Sequence, residues 1–183
     1  YLSIDVIPGT KKSLASLLDI TERKWAEEAL QESERQLGQI INFLPDATFA
    51  IDQGGRVIAW NRAMEEMTGV PAADMIGKAD NEYAIPFYGI RRSILIDLVF
   101  SPKEEIQVKY TNVNIERDCI TAETIDATPL GKDVVLWGRA SALYNTEGII
   151  IGAIESIRDV TERRLLQDSL RLANRQLNLM TSI

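Results

Sequence analysis

What chemistry this chain can do is decided first by a residue it lacks: it contains no histidine. The commonest general base is therefore absent, and so is any Ser-His or Cys-His nucleophile pair. Adjacent carboxylates occur at Glu65-Glu66 and Glu104-Glu105, but both pairs sit in helical surface patterns, where solvation accounts for them. Gly54-Gly55 lacks the Gly-Lys that would follow in a phosphate-binding loop, and it falls between two strand patterns. The single cysteine, Cys119, rules out an internal disulfide and a Cys-rich zinc site. At the start of a strand pattern it reads as a small buried hydrophobe. No catalytic residue and no metal ligand is expected.

Composition narrows the class further. The 183 residues are 45% hydrophobic and 26% charged, which allows one good core plus extensions. A formal charge of −7 argues against nucleic-acid binding, which needs a concentrated basic face. No apolar run approaches the roughly 20 residues of a membrane span, and no basic-then-apolar leader is visible. No membrane contact is expected in this segment, and a cytoplasmic location is. The chain opens in mid-strand and reads as a piece of a longer protein.

The elements are punctuated by a pentapeptide used twice, Asp19-Ile20-Thr21-Glu22-Arg23 and Asp159-Val160-Thr161-Glu162-Arg163, 140 residues apart. Each copy stands where a strand pattern stops and a helical one starts. Asp159 with Glu162 three residues on has capping-box spacing, and Asp19 with Glu22 repeats it. The apolar seam after the first copy runs Ala26, Leu30, Ser33, Leu37, Ile40, Leu44. The seam after the second runs Leu166, Leu170, Ala173, Leu177, Met180, with the same alternation of 4 and 3. That is heptad spacing.

Four segments follow from this punctuation: 1–18, a β-hairpin turning at Gly9 to Lys12; 19–44, a helix stopped by Pro45; 45–158, an α+β domain; and 159–183, a second helix. Within the domain, Ala47 to Asp52 and Arg56 to Trp60 form a hairpin, and Asn61 caps a helix from Arg62 to Thr68 that Gly69 ends. Ala72 to Ile76 is a further short helix. Lys78 to Pro86 reads as loop, Tyr88 to Phe100 as a helix crossing the sheet, and Lys103 to Asn112 as another short helix. Strands are predicted over Cys119 to Asp126, Val134 to Leu143 and Ile149 to Arg158. The sum is a five-stranded antiparallel sheet with short helices on one face.

The stretch LPDATFAIDQGGRVIAWNRAMEEMTG and the final hairpin ending in D-[IV]-T-E-R resemble the opening and close of PAS domains in archaeal and bacterial multi-PAS sensor histidine kinases. The resemblance covers nearly the whole chain. It implies a sensory or signal-transduction module whose sheet is coupled through Asp159, Thr161, Glu162 and Arg163 to a signalling helix. It also implies that 1–18 closes a preceding PAS module, although a strand pair belonging to this domain is the alternative. The tail from Leu170 resembles the run into a dimerisation and phosphoacceptor helix. The parent is then an ATP-dependent protein-histidine kinase of a two-component system, with the phosphoacceptor beyond Ile183, or a further PAS module follows. The seam residues Ala26, Leu30, Leu37, Ile40, Leu44, Leu166, Leu170, Leu177 and Met180 imply a coiled-coil homodimer.

In PAS relatives, ligands lie between the sheet and the crossing helix. The residues of this chain expected there are Phe49, Trp60, Met64, Met67, Phe87, Tyr88, Arg91, Ile94, Leu98, Glu123, Trp137 and Ser141, most of them better explained as plain core, because a sheet packed on short helices needs large side chains there. Glu123 and Ser141 would need a partner if they faced inward, and Arg91 or Arg92 could meet a carboxylate. Haem held by a histidine is excluded, and a cysteinyl-flavin bond needs a cysteine well before Cys119. Non-covalent flavin and an unidentified small molecule stay open. Three roles compete: a ligand-responsive sensor, a ligand-free spacer that passes signals on, and an enzyme, for which the inventory supplies no group.

Overall fold

The computed structural model describes residues 2–6, 13–17, 21–100 and 110–180. They separate into two units, 1–41 and 42–183. In the first, β1 (Leu2–Val6) pairs antiparallel with β2 (Ser13–Leu17), Leu2 opposite Leu17. The expected turn at 9–12 and the junction residues Asp19 and Ile20 lie outside the described residues. α1 (Thr21–Phe43) follows and ends just before Pro45, as the sequence predicts. Arg23–Glu27 and Glu32–Arg35 ion pairs decorate its surface, and none of its residues is buried.

The second unit is built on a six-stranded antiparallel sheet. β3 (Ala47–Asp52) and β4 (Val57–Trp60) form the opening hairpin. β5 (Thr111–Glu116), β6 (Cys119–Thr124), β7 (Leu136–Tyr144) and β8 (Ile150–Asp159) complete the sheet in the order β4-β3-β8-β7-β6-β5. The last strand therefore sits in the middle, paired to β3 on one side and β7 on the other. In β7, Leu136, Gly138, Ala140 and Ala142 are buried and the residues between them are not, so period-2 alternation selects the inner face.

Against that face pack α2 (Arg62–Thr68), α3 (Ala72–Met75) and α4 (Ile85–Tyr88). The main core joins Phe49, Ile51, Trp60, Met64, Tyr83, Phe87, Ile94, Ile96 and Ile157, and a smaller one gathers Leu95, Leu98, Ile120, Ala122 and Ala140. Asn61, fully buried, holds the opening hairpin to α2. Its Oδ1 accepts from the Met64 and Thr48 amides at 2.9 Å each, and its Nδ2 donates to the Asp46 carbonyl at 2.9 Å. Gly69 then ends α2 at φ 74°, a conformation that disfavours a side chain.

Three expectations need correction. The sheet has six strands, not five, because β5 occupies the end of the expected helix over Lys103 to Asn112. Residues 111–112 are strand, and 103–109 lie outside the described residues. The continuous helix expected from Tyr88 to Phe100 is absent. α4 stops where Gly89 turns left-handed at φ 71°, residues 91–94 are irregular, and only Leu95–Phe100 winds up again, as a 3-10 turn. Asp97 fixes that restart by accepting from the Ile94 amide at 2.7 Å, so Ile94, Leu95 and Leu98 are buried while Ile90 stays exposed. The loop expected over Lys78 to Pro86 contains a 3-10 turn, Glu82–Ala84, and the start of α4.

Replacing Asn61 by Ala removes the cap of α2 and takes from the buried Thr48 amide its side-chain acceptor. Asn61→Ala is expected to cost roughly 2–4 kcal/mol of unfolding free energy, read from urea midpoints at unchanged m.

Candidate functional site

Buried carboxylates mark two sites, one on each face of the sheet. On the inner face, the alternation that buries Ala153 and Ile157 of β8 also buries Glu155, which is 4% exposed. Its Oε2 accepts from the Ile96 amide at 2.9 Å. Gly138, across on β7, leaves it room: a Cβ there would lie 2.9 Å from Glu155 Oε1 and 2.9 Å from Leu95 Cδ2. Burial pushes the Glu155 carboxyl up to about 8, the Ile96 amide opposes this, and the negative charge of Asp97 adds to it.

Beside Glu155 lies a cavity walled by Phe87, Tyr88, Ile94, Tyr110, Thr124 and Leu136 among others. About 20 Å³ of it is open to the centre of a water molecule. That is room for water, and it is well below the roughly 300 Å³ at which small-molecule pockets begin. Burial raises both tyrosine hydroxyls above their ordinary range, with the Glu155 charge adding to it. The Tyr110 hydroxyl is buried beside that of Tyr88, and among the described residues it has no hydrogen-bond partner of good geometry. The Arg92 guanidinium stacks 4.5 Å over the Tyr88 ring. Behind the cavity, Asp97 accepts from the Tyr83 hydroxyl and from Asn81 Nδ2 at 3.2 Å.

Of the twelve expected pocket residues, Phe87, Tyr88 and Ile94 line this cavity. Phe49, Trp60 and Met64 are buried in the main core with Met67 packed against it, and Leu98 belongs to the smaller core. Arg91 lies at the surface, 3.4 Å from Glu82. Glu123, Trp137 and Ser141 are on the opposite face, since Ile120 and Ala122 take the inward positions of β6 and register sets Glu123 opposite Trp137 and Cys119 opposite Ser141. Trp137 and Ser141 share a shallow groove there with Cys119, whose sulfur lies 3.0 Å from Arg139 Nε. Sequence reasoning missed Glu155. Its signal was parity: an acid spaced two residues from Ala153 and from Ile157 faces the same way as they do.

The outer-face carboxylate is the junction. α5 (Thr161–Met180) leaves directly from β8. Asp159 Oδ1 accepts from the Thr161 amide at 2.8 Å and hydroxyl at 2.6 Å. Asp159 thus caps from within the strand, and Glu162 makes no reciprocal bond to it among the described residues. The Thr161 hydroxyl in turn accepts from the Val135 amide at 2.9 Å, and the Val160 amide donates to the Val135 carbonyl at 2.9 Å. One turn on, Arg164 ion-pairs with Glu123, which is 8% exposed and also accepts from Asn112 Nδ2 at 2.8 Å. Burial alone would raise the Glu123 carboxyl, but Asn112 and the Arg164 charge outweigh it and hold it below the usual range. Over residues 165–176 α5 is bare: Leu166 is 65% and Leu170 67% exposed. Among the described residues no cluster of ligating side chains could hold a metal, and no helix is long and apolar enough to cross a membrane.

An antiparallel sheet that wraps its inner face in short helices and hands its central strand to a capped helix defines an α+β domain. The chain belongs to the PAS fold family, whose model matches residues 41–165. Among solved structures it is similar to the PAS domain of Bordetella pertussis BvgS, at 21% identity over 79% of this chain and 98% of that one, TM-score 0.50. It is also similar to an RNA-binding light-oxygen-voltage receptor, at 17% identity over 79% of this chain and 38% of that one, TM-score 0.56. A PAS domain from a two-component sensor histidine kinase matches at 14% identity over 70% of this chain and 97% of that one, TM-score 0.42. No curated protein matches by sequence.

The Glu123–Arg164 contact makes the start of α5 separable from its fold. Arg164→Ala is expected to cost roughly 2 kcal/mol and to speed amide exchange over 161–168 while β3 and β8 stay protected. Equal exchange in both proteins would show that the pair does not hold the helix.

Proposed function

We propose that this chain is a signal-relay segment of a multi-PAS sensor histidine kinase, passing changes in the packing of its last strand into a paired exit helix. The observation that carries the reading is the junction. β8 and α5 are joined through Asp159, Val160 and Thr161 with Val135, and the first turn is tied back to the sheet by Glu123 and Arg164, with Arg163 adding positive charge near Glu123. A movement of β8 therefore reaches α5 without a flexible linker between them.

Residues 1–18 close a preceding PAS module, 19–44 carry its output into the domain at 45–158, and 159–183 lead toward the kinase dimerisation helix or a further PAS module. The repeated D-[IV]-T-E-R and the shared heptad register support this serial arrangement. The parent transfers phosphate from ATP to a histidine, and this segment, having no histidine, takes no chemical part. Such a module works in the cytoplasm as a homodimer. The exposed seam residues Leu30, Leu37, Ile40, Leu166 and Leu170 support pairing, since apolar side chains at that spacing need a facing helix. Native sedimentation should give a dimer, and Leu170→Asp with Leu177→Asp should give a monomer. Persistence of the dimer mass would remove the second seam from the interface.

The second reading, capture of a small molecule, is favoured by the polar groups around the cavity, but about 20 Å³ favours relay. Native mass spectrometry of the purified chain is expected to give the polypeptide mass alone. A retained organic ligand would shift the reading to direct sensing.

A further inference from the structure

We propose that Glu155 is a proton-operated switch: its carboxyl, held between the Ile96 amide and the inner cavity, sets by its charge how firmly β8 is seated on the Leu95–Phe100 turn, and thereby biases α5. The proposal deepens the relay reading by naming an input, and it rests on that reading for what happens beyond Thr161.

The geometry favours a neutral carboxyl. Among the described residues Glu155 has one hydrogen-bond donor, the Ile96 amide, and no cation among its contacts. The groups facing it from each packed element are few. α4 supplies Tyr88, the residue before β5 supplies Tyr110, and the Leu95–Phe100 turn supplies Asp97, whose charge opposes ionisation. Tyr83 of the Glu82–Ala84 turn spends its hydroxyl on Asp97. β6 offers Thr124 and Ala122, β7 offers Gly138 and Ala140, and β3 offers Phe49, none of them charged. Among the described residues Arg92 is the nearby cation, but it stacks on Tyr88 and bears on the two tyrosines rather than on Glu155.

A carboxylate left there with one donor is costly, and because the Ile96 amide favours the charged form, the cost is relieved by a shift of the strand that lets water reach the carboxylate. The adjoining cavity is large enough for water, which gives protons a route to the site. Glu155 lies four residues before Asp159, on the same strand that enters the junction. The chain has no histidine to respond in the same range. Burial puts the carboxyl near 8 against 4.5 for a free one. The folded chain thus keeps a proton that the unfolded chain has released. Stability from this group is greatest below about 4.5 and falls as pH rises to about 8.

The test is an amide NMR titration of the whole 183-residue chain across the neutral range. Ile96 and Thr161 are expected to shift together with one midpoint near 8, and Glu155→Gln, which mimics the neutral acid, should flatten both. The urea midpoint should fall with rising pH in the parent chain and stay level in the variant. A static Ile96 amide overturns the proposal, as does an Ile96 that titrates while Thr161 does not, or a Thr161 titration that survives Glu155→Gln. Because these signals are read within one chain, they stand whether or not the seam mutations dissolve the dimer.

Discussion

The rest of the molecule depends on the backbone pairing of β8 between β3 and β7. Its residues are matched along nearly their whole length on both sides, from Asp52 opposite Gly152 to Ala47 opposite Ile157, and from Leu136 opposite Asp159 to Leu143 opposite Gly152. Side chains reinforce the β3 side: Thr48 and Ser156 share a 2.9 Å hydroxyl contact, and Arg158 grips Asp46 with two bonds of 2.8 and 2.7 Å. Gly152 sets how closely the strands approach, since a Cβ there would lie 2.3 Å from the Ile51 carbonyl oxygen. A one-residue slip would turn Glu155 outward and Arg158 inward, so register and burial of the acid are one constraint.

The same residue type behaves oppositely on the two faces. Glu123 meets Asn112 and Arg164 and is held low, so its contribution is present above the free-acid value and lost as pH falls. Glu155 meets one amide and the Asp97 charge and is pushed up, so its contribution is lost as pH rises. Between those limits the sheet carries an ionised acid outside and a neutral one inside. That asymmetry ties the charge on one face to the helix and leaves the other face sensitive to its proton.

Much of this was legible because the rules involved are local. The hairpin from Ala47 to Trp60, the Asn61 cap and the Gly69 stop each depend on residues a few positions apart, and each was read from the sequence within one residue of where it stands. The crossing segment was not legible. Ile94, Leu95 and Leu98 fit a helix and a 3-10 turn equally well, and the choice is made by Gly89 and by Asp97, whose partners Asn81 and Tyr83 lie more than a dozen residues upstream. β5 was hidden because its alternation is short: Val113 and Ile115 face the core between Asn112 and Asn114, and two apolar positions are too few to outweigh the helical reading of the residues before them. The facing of Glu123 could have been read from Ile120 and Ala122, because parity along one strand is fixed. Its bond to Arg164 could not, since 41 residues and a sheet separate them.

How far a single proton can act follows from magnitudes. Moving a two-state equilibrium from one extreme to the other takes about 5.5 kcal/mol of differential stabilisation, whereas each unit of pKa difference is worth about 1.4 kcal/mol. A buried acid displaced by a few units therefore biases such an equilibrium strongly without fully throwing it. The exit helix is suited to a bias of that size. It is anchored through one turn only, and a seam of two to three heptads is marginal by itself. In the proposed dimer two carboxyls would act on one rod, and the modest effect of each would be summed at the point where the helices must choose a packing.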